Sequence, residues 1–130
     1  DGTLMGSALQ AAGVQLALGS DSNSVIDLIT EARSLELHER LATQQRLCLA
    51  REQQPISMTL LDAATTGGAR SLGVPHLGRL AVDAPFDAAV IAREHPLLRD
   101  VADADLLDAL MLSGTSAPVH TVFINGVECA

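Results

Sequence analysis

"GVQLALGSDSN", residues 13–23, changes character twice and sets the reading of everything around it. Gly13 stops a short helical pattern over Leu4 to Ala12. Val14 to Leu18 is then nearly all apolar, as expected for a parallel strand buried on both faces. The run ends in Gly19, and Asp21 stands alone between Ser20 and Ser22. A helical pattern follows directly. On these residues alone Asp21 has two readings. One is a turn residue beside a helix start, where Asp and Ser accept backbone N–H bonds. The other is a carboxylate at the C-terminal end of a parallel strand, where barrels and open α/β sheets bind ligands. There it could hold a metal ion or act as a general base.

Working outward, Ser24 with Asp27 fits a capping box. Val25, Leu28, Ile29, Ala32 and Leu35 follow at helical spacing as a buried stripe. Glu36 and Arg40 form an i,i+4 pair, worth ~0.3 kcal/mol on an exposed face. This helix is expected to reach the high 40s, with a polar end over Gln44 to Gln54 before Pro55. A third helix is expected from Ser57, stapled by Ile56 and Leu61. Its buried face reads as Met58, Leu61, Ala64, Gly68 and Leu72. Gly67 and Gly68 cost such a helix about 1 kcal/mol each relative to Ala, which close packing against a neighbour would explain. Gly73 is its stop.

Past Val74-Pro75 the pattern shortens. Gly78 to Val82 and Asp87 to Ala92 read as strands joined by a turn at Asp83 to Phe86. Asp103 to Leu112 is a short helix with an acidic first turn, which suits the helix dipole. Asn125-Gly126 between Val119–Ile124 and Val127–Cys129 is a strong hairpin signal.

The totals narrow the function classes. With 130 residues, 48% apolar, the chain can bury a core, built from Leu, Ala, Val and Ile because Trp and Tyr are absent. A formal net charge of −8 argues against nucleic acid and anionic membranes as partners. No apolar run approaches the roughly 20 residues of a membrane span, and no signal-peptide pattern opens the chain. Cys48 and Cys129 make no spacing motif and read as free thiols in a reducing compartment. His38, His76, His95 and His120 are scattered, with no H-x-H or H-E-x-x-H spacing, so a metal site made from this chain alone is not expected. "GSDSN" is not the nucleophile elbow G-x-S-x-G, and no phosphate loop is present. "DGTLM" at residues 1–5 resembles the first motif of haloacid-dehalogenase-type phosphatases but lacks the nucleophilic Asp two residues earlier. Opening at Asp1 without Met, the chain is expected to be part of a longer protein.

Four stretches carry a broader resemblance: "GVQLALGSDSN", "TLLDAATTGGARSLG", "GRLAVDAPFDAAVIAREHP" and "VHTVFINGVEC". In this order they resemble the C-terminal part of an amidohydrolase-superfamily enzyme. The resemblance implies an α/β fold. Residues 1–75 would be the last strand and helices of a TIM-like (β/α)8 barrel, and residues 76–130 part of a small β-sandwich with a short helix. It implies that Asp21 is a ligand of zinc or a similar divalent ion, the histidine ligands lying upstream. Such an ion lowers the pKa of its bound water toward 7. Asp21 would take that water's proton and pass it to the departing nitrogen. Ser20 and Ser22 would steer the carboxylate through hydrogen bonds.

Within the superfamily, "GSDS" and "DLITEARSLELHERL" are similar to deiminases of N-formimidoyl-L-glutamate. That implies ammonia release from a small-molecule substrate, in histidine degradation in the cytoplasm. Two alternatives stand beside it: a hydrolase of an aminated or halogenated heterocycle, and a non-catalytic α+β module that pairs with another chain. Asn23 departs from an expected His, Asp83 from a Gly and Phe86 from an Ala. Alone, the segment is expected neither to bind zinc tightly nor to catalyse. Without the rest of a barrel, Val14 to Leu18 would lack a strand neighbour, and uncovered apolar surface would drive homo-oligomers or aggregation.

Overall fold

The computed structural model describes residues 3–22 and 24–129. "DGTLM" falls partly, and Asn23 wholly, outside the described residues. Helix α1 (Gly6–Ala11) ends where the sequence places its stop. Gly13, at φ 79, donates its N–H to Gln10 O at 2.9 Å, and Val14 donates to Leu9 O at 2.9 Å. The same pair of bonds closes the third helical stretch: Gly73, at φ 76, to Arg70 O at 3.0 Å and Val74 to Ala69 O at 2.9 Å. This closing pattern needs a residue at ease in the left-handed region, and glycine is that residue.

Helix α2 spans Leu28–Thr43. Its N-cap is Asp27 rather than Ser24: Asp27 Oδ1 accepts the Thr30 N–H at 2.9 Å. The expected stripe also shifts. Val25 and Leu28 are exposed, Ile29 and Leu35 are half-buried, and the residues fully inside are Ala32, Glu36 and Glu39. The helix stops at Thr43 instead of continuing to the high 40s, because Gln44 takes a left-handed cap conformation at φ 58. The following turns fold back onto α2 and bury Leu49 completely. Glu36 holds them there. Its carboxylate accepts Cys48 N–H at 3.2 Å, Leu49 N–H at 3.1 Å and Arg40 Nε at 2.7 Å. Glu36 is 1% exposed, so the expected surface pair is an interior one.

Helix α3 (Ile56–Asp62) follows the cap residue Pro55. Ile56 is therefore the first helical residue, not a staple before the helix. The chain continues through a π turn (Ala63–Gly67) into α4 (Gly68–Ser71). Ile56, Leu60, Ala63 and Gly67 make the buried line. The expected line through Met58 and Leu72 faces solvent, Leu72 being 80% exposed. A π turn holds more residues per turn than an α turn, so it re-phases the helix face beyond it.

Residues 14–18 lie across this π turn. Leu18 N–H donates to Ala63 O at 3.2 Å, and a Cβ on Gly67 would stand 2.1 Å from Leu16 O. Gly67 therefore allows a backbone approach that no other residue permits, whereas a Cβ on Gly68 would meet nothing within 4 Å. The expected strand over Val14 to Leu18 is not formed: no ladder partner lies beside it among the described residues. A strand exists by its pairing, and here only Leu16 turns fully into the core while Val14, Gln15 and Ala17 are exposed.

The sheet is open, three-stranded and antiparallel, ordered β1 (Ala88–Ile91), β2 (Val119–Ile124), β3 (Val127–Cys129). Ala88 faces Phe123, and the register slips between Val90 and Ile91. Asn125 (φ 49) and Gly126 (φ 79) form the two-residue turn expected of Asn-Gly. The turn is pinned from β1's approach: Asp87 Oδ1 accepts the Asn125 N–H at 2.7 Å, and Phe86 O accepts the Gly126 N–H at 2.9 Å. The Phe86 and Phe123 rings meet at 5.3 Å. The expected strand at Gly78 to Val82 is a loop instead, with Val82 93% exposed and no strand to pair with among the described residues. Asp83 sits at φ 64, which explains why a glycine suits that position and why Asp, tolerant of the left-handed region, can replace it.

Between β1 and β2, a 3-10 turn (Asp103–Asp105) leads into helix α5 (Leu106–Ser113). Met111 of α5 joins Leu16, Ala32, Leu49, Ile56, Leu60 and Ala63 in the core. The result is a small α/β body with its core between helices and its sheet to one side. Among the described residues no helix is long and apolar enough to cross a membrane.

Candidate functional site

The Asp21 loop is built by what holds its two ends. Upstream, Leu18 is tied to Ala63 at the π turn. Downstream, Asp27 caps α2. Between them Asp21 takes φ 43, a conformation Asp accepts more readily than most side chains. Asp21 and Ser22 are exposed and Ser20 is half-buried. None of the three makes a hydrogen bond to another described residue, so neither serine hydroxyl is bonded to the Asp21 carboxylate here. Among the described residues nothing occupies the lone pairs of that carboxylate, which leaves them for a ligand or a proton.

Asp27 was legible only as part of a cap and does more. Its Oδ2 accepts the Ser116 N–H at 2.7 Å and the Ser116 hydroxyl at 2.8 Å, across 89 positions of sequence. Burial works against its charge, but bonds from Ser116 N–H, Thr30 N–H, the Ser116 hydroxyl and Ile29 N–H outweigh that. They hold the Asp27 carboxyl below its ordinary value of 3.8. Asp followed three residues later by Thr was the local signal for the cap. Nothing local announces Ser116.

The remaining polar chemistry lies elsewhere. Glu36 and Glu39 are buried, Glu39 accepting the Ser7 hydroxyl at 2.6 Å. His95 Nδ1 accepts the Leu97 N–H at 3.2 Å, and Cys48 and Cys129 are free. Two hollows, of about 450 Å³ along Leu80 to Phe86 and about 250 Å³ between Leu98 and Leu110, are apolar and do not adjoin Asp21. A metal ion needs three or more converging ligands. Among the described residues no three His, Cys, Asp or Glu side chains come together in that way. These residues do not fit a metal centre on their own; Asp21 supplies one donor.

The family is settled by comparison. The amidohydrolase family model matches residues 4–129, and the chain belongs to that family. The formimidoylglutamate deiminase of Pseudomonas aeruginosa is 36% identical over 127 residues, covering 97% of this chain and 28% of that protein. An amidohydrolase from Brucella melitensis superposes with a TM-score of 0.82 at 29% identity, over 98% of this chain and 28% of its own. An adenosine deaminase from Xanthomonas campestris, with bound zinc, does so with a TM-score of 0.78 at 27% identity, over 94% of this chain and 27% of its own. The chain thus spans little more than a quarter of the length of these relatives.

Proposed function

We propose that this chain is the C-terminal portion of a metal-dependent hydrolase that deaminates N-formimidoyl-L-glutamate and releases ammonia. The observation that carries the reading is the free carboxylate of Asp21, held at φ 43 in an exposed loop where the apolar segment 14–18 ends. The 36% identity to a formimidoylglutamate deiminase supports the substrate. In this reading residues 1–75 close a TIM-like barrel and residues 76–130 return to a small β-sandwich. Asp21 is one ligand of a zinc or similar ion whose other ligands lie outside this chain. It also carries a proton at a carboxylate oxygen toward the departing nitrogen, as a positioned general base does. Ser20 and Ser22 stand next to it as orienting hydroxyls once the barrel closes over them. The segment alone is inactive, and the whole protein is a cytoplasmic homo-oligomer that acts on a small molecule and binds neither nucleic acid nor membrane.

A second reading, deamination of an aminated heterocycle, is favoured by the likeness to an adenosine deaminase at 27% identity. One experiment separates them. The whole protein is assayed for ammonia release from N-formimidoyl-L-glutamate and from adenosine, with metal content measured alongside. We expect release from the former, and a loss of roughly a thousandfold or more in kcat with less bound metal in Asp21→Asn. Preferential turnover of adenosine installs the second reading, and full activity of Asp21→Asn removes Asp21 from both.

A further inference from the structure

We infer that Asp27 is a positioning residue for the Asp21 carboxylate, clamping the active-site loop to the segment that enters the β-sheet. The inference rests on the functional reading above. The loop from Gly19 to Ile26 makes no hydrogen bond of its own among the described residues. Val25 and Ile26, which precede the clamp, are 48% and 72% exposed, so side-chain burial does not hold it either. Its path is therefore set at its ends, and Asp27 is the downstream end. One carboxylate oxygen of Asp27 takes the Thr30 N–H of α2, and the other takes both donors of Ser116. Ser116 is itself fixed: its carbonyl accepts the Val119 N–H at 2.9 Å at the start of β2, and Pro118 O accepts the Ala92 N–H at 2.8 Å.

The three bonds on Asp27 thus join the start of α2, the entrance of β2 and the loop carrying Asp21. A neighbouring tie serves as the control. Arg33 Nη1 donates to Gly114 O at 3.2 Å, fastening the same two segments further along α2 without touching the loop's end. A carboxylate that moves a proton is sensitive to placement, and a displacement near 1 Å costs on the order of a hundredfold in rate. The clamp is what restrains Asp21 from such movement.

The test uses the whole protein and three variants: Asp27→Asn, Ser116→Ala and Arg33→Gln. Asn still caps α2 through its carbonyl oxygen but turns an amide group toward Ser116. We expect Asp27→Asn to lower kcat by roughly tenfold or more with KM changed less than about twofold. Ser116→Ala, which keeps its N–H, should lower kcat by a smaller factor and add little on top of Asp27→Asn. Arg33→Gln should lower the melting temperature yet leave kcat of the folded enzyme unchanged. An active wild type whose Asp27→Asn variant keeps its kcat overturns this inference alone. Equal losses of kcat in Asp27→Asn and Arg33→Gln also overturn it, since they mark general loosening. A wild type that releases ammonia from no amino-substituted substrate overturns both this inference and the functional reading.

Discussion

Two carboxylates on neighbouring segments have opposite surroundings. Glu36 is buried and its oxygens accept three bonds, from Arg40, Cys48 and Leu49. Asp21 is exposed, and no described residue donates to it. The contrast separates structure from chemistry. A carboxylate whose lone pairs are all taken by its own chain is holding that chain together. One presented at a loop with all of them free is available to a substrate, an ion or a proton. Ion-pair spacing alone would have ranked them the other way, with Glu36 on the surface.

The largest effect expected from breaking this contrast is at Glu36. Glu36→Ala would leave the buried Leu49 N–H and the half-buried Cys48 N–H without acceptors and strip Arg40 of its partner. Removing one side of a buried charged network costs about 3–5 kcal/mol, and an unsatisfied buried N–H about 1–3 kcal/mol. We expect a loss of about 3 kcal/mol or more in denaturant unfolding of the whole protein. A loss under about 1 kcal/mol would mean that the turns after α2 stand without Glu36.

The adjacent glycines of the π turn give a finer version of the same test. Gly67→Ala would drive a Cβ to 2.1 Å from Leu16 O, which the backbone can relieve only by moving the 14–18 segment that leads to Asp21. Such overpacking costs about 1–3 kcal/mol. Gly68→Ala meets nothing within 4 Å and should instead stabilise the helix by up to about 1 kcal/mol. Opposite shifts in melting temperature from the two variants would establish that the π turn is shaped around residue 16. Equal shifts would break that account.

How much of this could be read beforehand follows from what each residue needs. The helix stops at Gly13 and Gly73 and the Asn125-Gly126 hairpin were legible because each is decided within a few residues by backbone torsions. Close packing at the glycine pair was legible as a cost needing a reason, though only Gly67 turned out to be the contact. The strands at 14–18 and 78–82 were misread because apolar patterning reports what a segment can pair with, and pairing depends on neighbours. The buried face of α3 was misread because a π turn has no signature in spacing and re-phases the helix. The Glu36 clamp and the Asp27–Ser116 bonds were invisible for one reason: their partners are 12, 13 and 89 positions away. The position of Asp21 at the end of an apolar segment was readable; its freedom from partners was not.

That freedom makes the smallest expected effect on stability the most informative one. Asp21→Asn exchanges a carboxylate for an amide of nearly the same shape. Asn is at least as tolerant as Asp of φ 43, so the backbone has no reason to move. No described residue donates to Asp21, so no internal bond is lost. Surface substitutions away from packing and bonding features stay within roughly 0.5 kcal/mol, and we expect the unfolding free energy of Asp21→Asn to lie inside that range. Paired with lost activity, an unchanged stability would assign Asp21 to chemistry rather than architecture, the reverse of Glu36. A destabilisation of about 2 kcal/mol would instead show that Asp21 carries a bond in the whole protein, and the contrast between the two carboxylates would close.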